Sequence, residues 1–499
     1  MKIFFKKQFF LVFLLIFAFS PLAAKADTIG QKQDFFVEKS FSVTQKAQVS
    51  ATLIRASDKL YFYVDTSIWD AKKDSEKNDI FTALDALGKE FDTNIYPKLT
   101  ATFGTEATPG IDRDKKLTIL LYSLKDGARG YVRNIDEYPR LVNPFSNERE
   151  MIYFNFQNVN ESYANSLLAH EFMHLIELNQ KEFTNNVSED VWLNEARAEY
   201  ASTFLGYNND VGSNNYLTNR LRLFVDNPYS SLINWKGTLA DYGLVSVFTH
   251  YLVDHYGISI LTNSLRSKEV GIDSINEALL KNGITEDFNT IYTNFIVAAY
   301  VNDCAVSEKY CFVNKNLTTF HVLPFSNFLP FSGDSTLYLG QSLKDYSAHW
   351  QKFSGGMGSL KLQFKSSVKG NFVIPYVIKS INGEETVGFF KLNKAQEGEL
   401  IVPNIGTDIA SVTVIPAIEI TNYSDPASSY SYSLTATTST STTNANQGDT
   451  TNPDNGTETN IKLPFTIDKP LSQMTHEELL SVLLRLIIAL LMQGKTLPI

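Results

Sequence analysis

The stretch Leu167-Leu168-Ala169-His170-Glu171-Phe172-Met173-His174-Leu175-Ile176 places two histidines four residues apart, with a glutamate between them, in otherwise apolar surroundings. Residues four apart share one face of a helix, so His170 and His174 can present two imidazole nitrogens to one metal ion. Glu171 is then rotated to where an attacking water would sit. A helix that is apolar nearly all round is expected to be buried, and buried polar groups need partners. A divalent ion would satisfy all three residues; the competing reading is a purely structural polar cluster. Catalytic zinc keeps three protein ligands and one open position, and Glu195, twenty-one positions beyond His174 in a second helical stretch, is the carboxylate that completes the set. Glu199, one turn further on, is placed to accept the other ring N–H of a ligand histidine, or else is an exposed glutamate of a helix pair.

Several segments carry a family resemblance. Leu168 to His174, together with Trp192-Leu193-Asn194-Glu195-Ala196-Arg197-Ala198-Glu199-Tyr200, resembles the gluzincin arrangement of secreted bacterial zinc metallopeptidases, and is most similar to the hyicolysin-type neutral metallopeptidases. The similarity takes in Lys116 to Tyr122, Gly130-Tyr131, Asn147 to Phe154, Asp241-Tyr242-Gly243 and Tyr251 to Gly257, and covers residues 55 to 320. One departure is Ala196, where many relatives carry glycine. The resemblance implies a zinc-dependent endopeptidase that acts on protein or peptide, with Zn2+ held by His170, His174 and Glu195 and Glu171 as general base. It also implies a strand bordering the substrate cleft, for which Ile152 to Phe156 is the candidate edge; the alternative is an ordinary interior strand. Gluzincins commonly place a tyrosine or histidine downstream of the ligand glutamate to bond the oxyanion. Tyr242 is the candidate, although in a chain with 24 tyrosines a core or surface role competes. His250 and His255 read as helix-face histidines.

The expected fold class is α+β: a zincin-like metallopeptidase domain of mixed sheet and helices with the H-E-x-x-H helix, then an antiparallel β-sandwich and a C-terminal helix. Leu53 to Asp65 alternates apolar and polar residues, Asn78 to Tyr96 carries Ile80, Leu84, Leu87 and Phe91 on one helical stripe, and Leu117 to Tyr122 and Met151 to Phe156 read as strands. From Glu195 to about residue 300 the pattern is helical, with Gly257 as a stop. Short β-rich runs from Ser335 to Ile418, separated by turn residues, indicate the sandwich, which serves attachment or only shields the catalytic part. The boundaries are 1–26 signal peptide, 27–50 N-terminal segment, 51–330 catalytic domain, 331–434 sandwich, 435–465 disordered linker and 466–499 apolar helix.

Lys2, Lys6 and Lys7 before the apolar run Phe9 to Phe19, with Ala24-Lys25-Ala26 ahead of Asp27, make a secretory signal, so the protein is expected outside the cell or at the surface of a bacterium. Its removal takes away four lysines and no acids, moving the formal charge from −10 to about −14. That acidity argues against nucleic-acid binding. Cys304 and Cys311 are the two cysteines, and export favours a local disulfide over two buried thiols. No EF-hand loop or other calcium repeat occurs. Thr475 to Glu478 is a capping box that opens an apolar helix over Leu479 to Met492. At 1.5 Å per residue this helix is about 21 Å long, too short to span a bilayer. It serves self-association or contact with a membrane surface, or docks back on the protein. Two other functions compete with the peptidase: a surface adhesin or scaffold with a non-catalytic metal domain, and a zinc hydrolase of a non-protein amide.

Overall fold

The structure, a computed structural model, describes residues 26–210, 215–368, 370–419 and 429–439. All but Ala26 of the expected signal peptide, and the whole of the 466–499 helix with its expected self-association or membrane contact, lie outside the described residues. The described residues all fall within one compact unit.

The first sheet is built from β1 (Lys32–Phe36), β2 (Gln48–Ala56), β3 (Leu60–Asp65), β4 (Leu117–Tyr122), β5 (Gly130–Tyr131) and β6 (Met151–Asn155). Its order among the described residues is β1-β2-β3-β4-β6-β5. The β3–β4 and β4–β6 pairs are parallel and the others antiparallel. Side chains alternate across a strand, and the alternation divides two cores. Leu60, Phe62, Val64, Ile119, Leu121, Ile152 and Phe154 face the helices. Tyr61, Tyr63, Leu120, Tyr122, Met151 and Tyr153 face the other way, where Phe35, Val49, Ala51 and Leu53 of the first hairpin cover them. The single alternating run read from Leu53 to Asp65 is in fact the end of β2, a turn at Ser57–Lys59 and β3. The Asp92 carboxylate fixes this turn by accepting the N–H groups of Asp58 and Lys59 at 2.9 and 3.0 Å.

A short helix α1 (Thr66–Asp70) leads into α2 (Asp74–Glu90), whose Ile80, Leu84 and Leu87 are buried as the periodicity demands. The chain widens into a π turn over Phe91–Ile95, then runs as α3 (Tyr96–Phe103) to Gly104. After β6 come α4 (Ala164–Glu177) and α5 (Val191–Phe204), then α6 (Tyr216–Asp226), α7 (Leu239–Tyr256), α8 (Ser259–Arg266), α9 (Gly271–Lys281) and α10 (Phe288–Val301). Helix α7 starts on a Thr238/Asp241 capping box and stops at Gly257, at φ +87°. No helix among the described residues is long and apolar enough to cross a membrane.

The mixed α+β character and a sandwich-like β region are both present. The β region is not purely antiparallel, however: Phe325–Leu329 pairs parallel with Gln351–Gly355, and Ile405 with Ile409. A second core gathers Phe353, Leu360, Leu362, Phe364, Val412, Val414 and Leu434. Residues 435–439, read as the start of the linker, instead continue the strand Ser429–Ser439, because Leu434, Ala436 and Thr438 point inward in register with Leu339, Leu337 and Ser335. Tyr346, Ala348, Trp350 and Ala417 join the helical core, and the Trp350 indole donates to the Ile296 carbonyl at 3.0 Å.

Candidate metal centre

Helix α4 is buried on nearly every side, which is how it comes to hold charged residues inside the protein. Phe172 stacks on Tyr96, ring centroids 5.5 Å apart, and meets Phe91 edge-on, so α4 is wedged against the π turn and α3. That packing fixes the opposite face, where His170 and His174 project toward α5. The two Nε2 atoms are 3.2 Å apart, and Glu195 Oε2 lies 3.4 Å from the first and 3.8 Å from the second.

These distances test a metal. Ligand atoms about 2.0–2.1 Å from zinc at tetrahedral angles stand about 3.4 Å from one another, which the three separations bracket. Glu195 Oε2 is buried with no hydrogen-bond partner, an orphan in the sense that a cation would cure. Among the described residues His170, His174 and Glu195 are the group whose ligand atoms all fall within 4.8 Å. The electrostatics agree in sign. Burial opposes charge on His174, but its bond to Glu177 and the fields of Glu195, Glu177 and Glu171 push it up to about 10, and His170 is likewise raised against burial by Glu195. Burial would lift Glu195, yet the His170 and His174 imidazoles beside it and the Tyr242 hydroxyl hold it below its usual range. The pocket attracts positive charge, and a divalent ion can stand where those protons would.

Glu171 is buried, and burial above all raises its carboxyl, against the pull of His170 and His174. It faces β5: a Cβ on Gly130 would come within 2.7 Å of Glu171 Oε1. Tyr242, at the start of α7, donates to Glu195 Oε1 at 3.3 Å and leans on Trp235. Glu199 Oε1 lies 3.5 Å from His170 Nδ1, longer than a hydrogen bond. It is far from exposed: it takes a bidentate pair from Arg220 at 2.7 and 2.7 Å and the Tyr216 hydroxyl at 2.9 Å. Gly243 makes this contact possible, because a Cβ there would meet the Phe224 nitrogen at 2.6 Å and the Arg220 carbonyl at 2.9 Å, so α6 and α7 cross with backbones touching.

A chain of buried charges behind His174 escaped the sequence reading. The His174 Nδ1–H donates to Glu177 Oε2 at 3.1 Å, and Glu177 Oε1 is 3.8 Å from Arg197 Nη1. Arg197 Nη2 donates to Glu189 Oε2 at 3.0 Å and to Ser264, and Lys181 Nζ lies 3.0 Å from the same Glu189 oxygen. The signal for Glu177 was available, since a residue three beyond His174 shares its face. Nothing local marked Arg197, Glu189, Lys181 or Arg220.

A cavity of about 350 Å³ opens over these groups, lined among others by Gly130, Tyr131, Val132, Asn134, Glu182 and Val191. The expected edge at Ile152 to Phe156 is corrected here. Strand β6 is interior, flanked by β4 and β5, and the two residues of β5 form the sheet edge beside Glu171. His250 and His255 stay outside the cluster. The first bonds Thr203 and the Ser246 carbonyl, the second the Cys311 carbonyl. Cys304 and Cys311 are disulfide-bonded.

No family model matches the chain. Over 187 residues, 33% of this chain, it is 32% identical to the neutral metalloprotease ShpI of Staphylococcus hyicus, and it spans 41% of that relative's length. Over this third of its length the chain is thus related to a neutral metalloprotease. Solved structures align at low similarity: the pre-peptidase C-terminal domain of a Bacillus anthracis collagenase at 8% identity and TM-score 0.17, covering 23% of this chain and 96% of that one. PliG, a periplasmic lysozyme inhibitor from Aeromonas hydrophila, aligns at 11% and 0.16, covering 23% and 97%. Likenesses this slight carry no argument.

Proposed function

We propose that the chain is a zinc metalloendopeptidase of the gluzincin type, acting outside the cell on protein or peptide. The observation that carries the reading is the convergence of three ligand atoms, 3.2 to 3.8 Å apart, beside a buried Glu171 at the floor of an open cleft. His170, His174 and Glu195 would hold the ion. Bound there, zinc supplies Lewis acidity, lowering the pKa of its water toward neutrality and polarising a carbonyl.

The protein's own groups do the rest. Glu171 takes a proton from the attacking water and returns it to the departing amine, a role for which a carboxyl raised by burial is suited. Tyr242 exchanges its bond to Glu195 for one to the developing oxyanion. Glu177 fixes the tautomer and tilt of His174, and Glu199 presents negative charge to His170. The β5 edge at Gly130–Tyr131 offers main-chain pairing to an extended substrate. In this reading residues 51–330 carry the chemistry, 331–434 form an accessory sandwich, and a signal at 1–26 directs export.

Zinc content and casein cleavage, measured on the parent, on Glu171→Ala and after chelation, test the proposal. About one zinc per chain with cleavage lost in both controls supports it. Zinc without cleavage of casein or peptide libraries favours the adhesin reading, and absence of zinc refutes the site.

A further inference from the structure

The charged side chains that line the cleft cancel in pairs, with one exception. Glu177 and Glu189 stand against Arg197 and Lys181, and the two positive charges of a bound zinc would answer Glu171 and Glu195, its histidine ligands being neutral. Glu182 is left over. It sits in the π turn Leu178–Thr184 that prolongs α4, on the wall of the cavity. Its partners are neutral: Oε1 accepts an N–H of the Asn134 side chain at 3.2 Å, and Oε2 the Tyr138 hydroxyl at 3.2 Å. No lysine or arginine among the described residues pairs with it. Lys181, the cation of the cavity wall, turns instead to Glu189 at 3.0 Å and to the carbonyls of Ser267 and Glu269 at 3.1 and 2.7 Å.

We propose that Glu182 makes this cleft select a basic side chain, arginine or lysine, on the peptide it cuts, an inference that rests on the peptidase reading. The surroundings suit a long side chain with a charged tip. Leu178, four residues before Glu182 and on the same helix face, lines the cavity with Val132 and Val191, so methylenes have apolar wall to lie on. Glu182 supplies the counter-ion. A carboxylate has about four lone-pair sites, and Asn134 and Tyr138 use one on each oxygen, so a guanidinium can bind both oxygens without displacing either donor.

The carboxylate is fixed before a substrate arrives. Asn134 and Tyr138 hold it from across the cleft, and the Tyr138 ring meets Phe183 edge-on, centroids 5.4 Å apart, which ties the π turn to the segment after β5. Little ordering is then left for binding to cost. Along the helix axis Glu182 lies eight residues beyond His174, about 12 Å at 1.5 Å per residue. A long basic side chain together with one or two residues of extended backbone, about 3.4 Å each, spans that gap. The selected residue therefore falls within about two positions of the scissile bond. A neutral side chain there leaves Glu182 without a counter-ion, and an acidic one is repelled.

The test uses labelled peptides that carry Arg, Gln or Glu at each position in turn, with two readouts on the zinc-loaded full chain. Cleavage by the parent should favour Arg over Gln by about tenfold in kcat/KM at one position near the cut. Fluorescence anisotropy with Glu171→Gln, which leaves the peptides whole, should show the same gap in Kd, narrowing as salt rises. Introducing Glu182→Gln should bring both ratios close to one, and Glu182→Lys should invert them in favour of the Glu peptide; a merely structural role would slow all three peptides alike and leave the ratios standing. Cleavage with no basic preference, or a preference that survives Glu182→Gln, overturns the proposal and leaves the peptidase in place. Glu182-dependent binding of the Arg peptide with no cleavage of any peptide removes the peptidase and keeps Glu182 as the selecting group, and neither binding nor cleavage overturns both.

Discussion

Replacing Arg197 by methionine isolates the charge chain behind His174. The guanidinium is fully buried between Glu177 and Glu189, with Lys181 as the other cation, so the parent network balances two positive groups against two negative ones. Methionine fills much of the volume but leaves one carboxylate uncompensated. Glu189 still holds Lys181 at 3.0 Å and the Gly271 N–H at 2.6 Å, so the deficit falls on Glu177, whose remaining partner is His174. Breaking a buried pair from one side costs about 3–5 kcal/mol, against 0–1 for a surface pair. With Glu189 still partnered, the lower end, about 3 kcal/mol, is expected. Denaturant unfolding of the zinc-loaded protein, in which His174 is a neutral ligand and adds no third cation to the network, would read this directly. Adding Glu177→Gln, which removes the stranded charge yet keeps an acceptor for His174 Nδ1–H, should recover part of the loss and give a coupling well above 0.5 kcal/mol. A single mutant within 1 kcal/mol of the parent, or strict additivity in the pair, would refute the reasoning.

Other outcomes follow from the same geometry. Glu171→Gln should keep its zinc and lose turnover by about 10²–10⁴-fold, the range of a lost general base; retained cleavage would remove Glu171 from the chemistry. Tyr242→Phe should lower kcat by about 10²-fold with zinc content unchanged, and equal kcat would leave the tyrosine a packing residue. His250, held neutral by burial, is pulled down to about 4 from an ordinary 6.5. As pH falls through 6.5 the unfolded chain takes up this proton first, so the stability tied to a neutral His250 is present above 6.5 and is lost between 6.5 and 4, to a total of about 3 kcal/mol. The unfolding free energy of His250→Gln should therefore fall less steeply over that window, and parallel slopes would contradict the assignment.

Much of the site was legible because its parts are local or chemically obligatory. His170 and His174 are joined by one turn of helix, and the demand for a third ligand led to Glu195. Glu199 was visible as a position, but its occupation by Arg220 was not, since the arginine arrives on α6 through a backbone contact that only Gly243 permits. Whether β6 was edge or interior strand stayed open in the sequence because a two-residue strand such as β5 has no periodicity to detect; the structure makes β6 interior. The strand Phe325–Leu329 escaped for a different reason: it shows no alternation, with Phe325 and Phe328 both exposed and only Leu329 buried.

Gly130 bears on how an enzyme of this build could change occupation. Its backbone is extended rather than left-handed, so alanine is conformationally acceptable there, and the obstacle is Glu171 Oε1, 2.7 Å from the would-be methyl. A carboxylate can swing aside more cheaply than a strand can move. One added carbon would therefore turn the carboxylate proposed as the base aside while leaving His170, His174, Glu195 and the cleft walls as they stand. If Glu171 is the base proposed above, a protein that recognises its targets yet leaves them whole lies a single methyl group from one that cuts them.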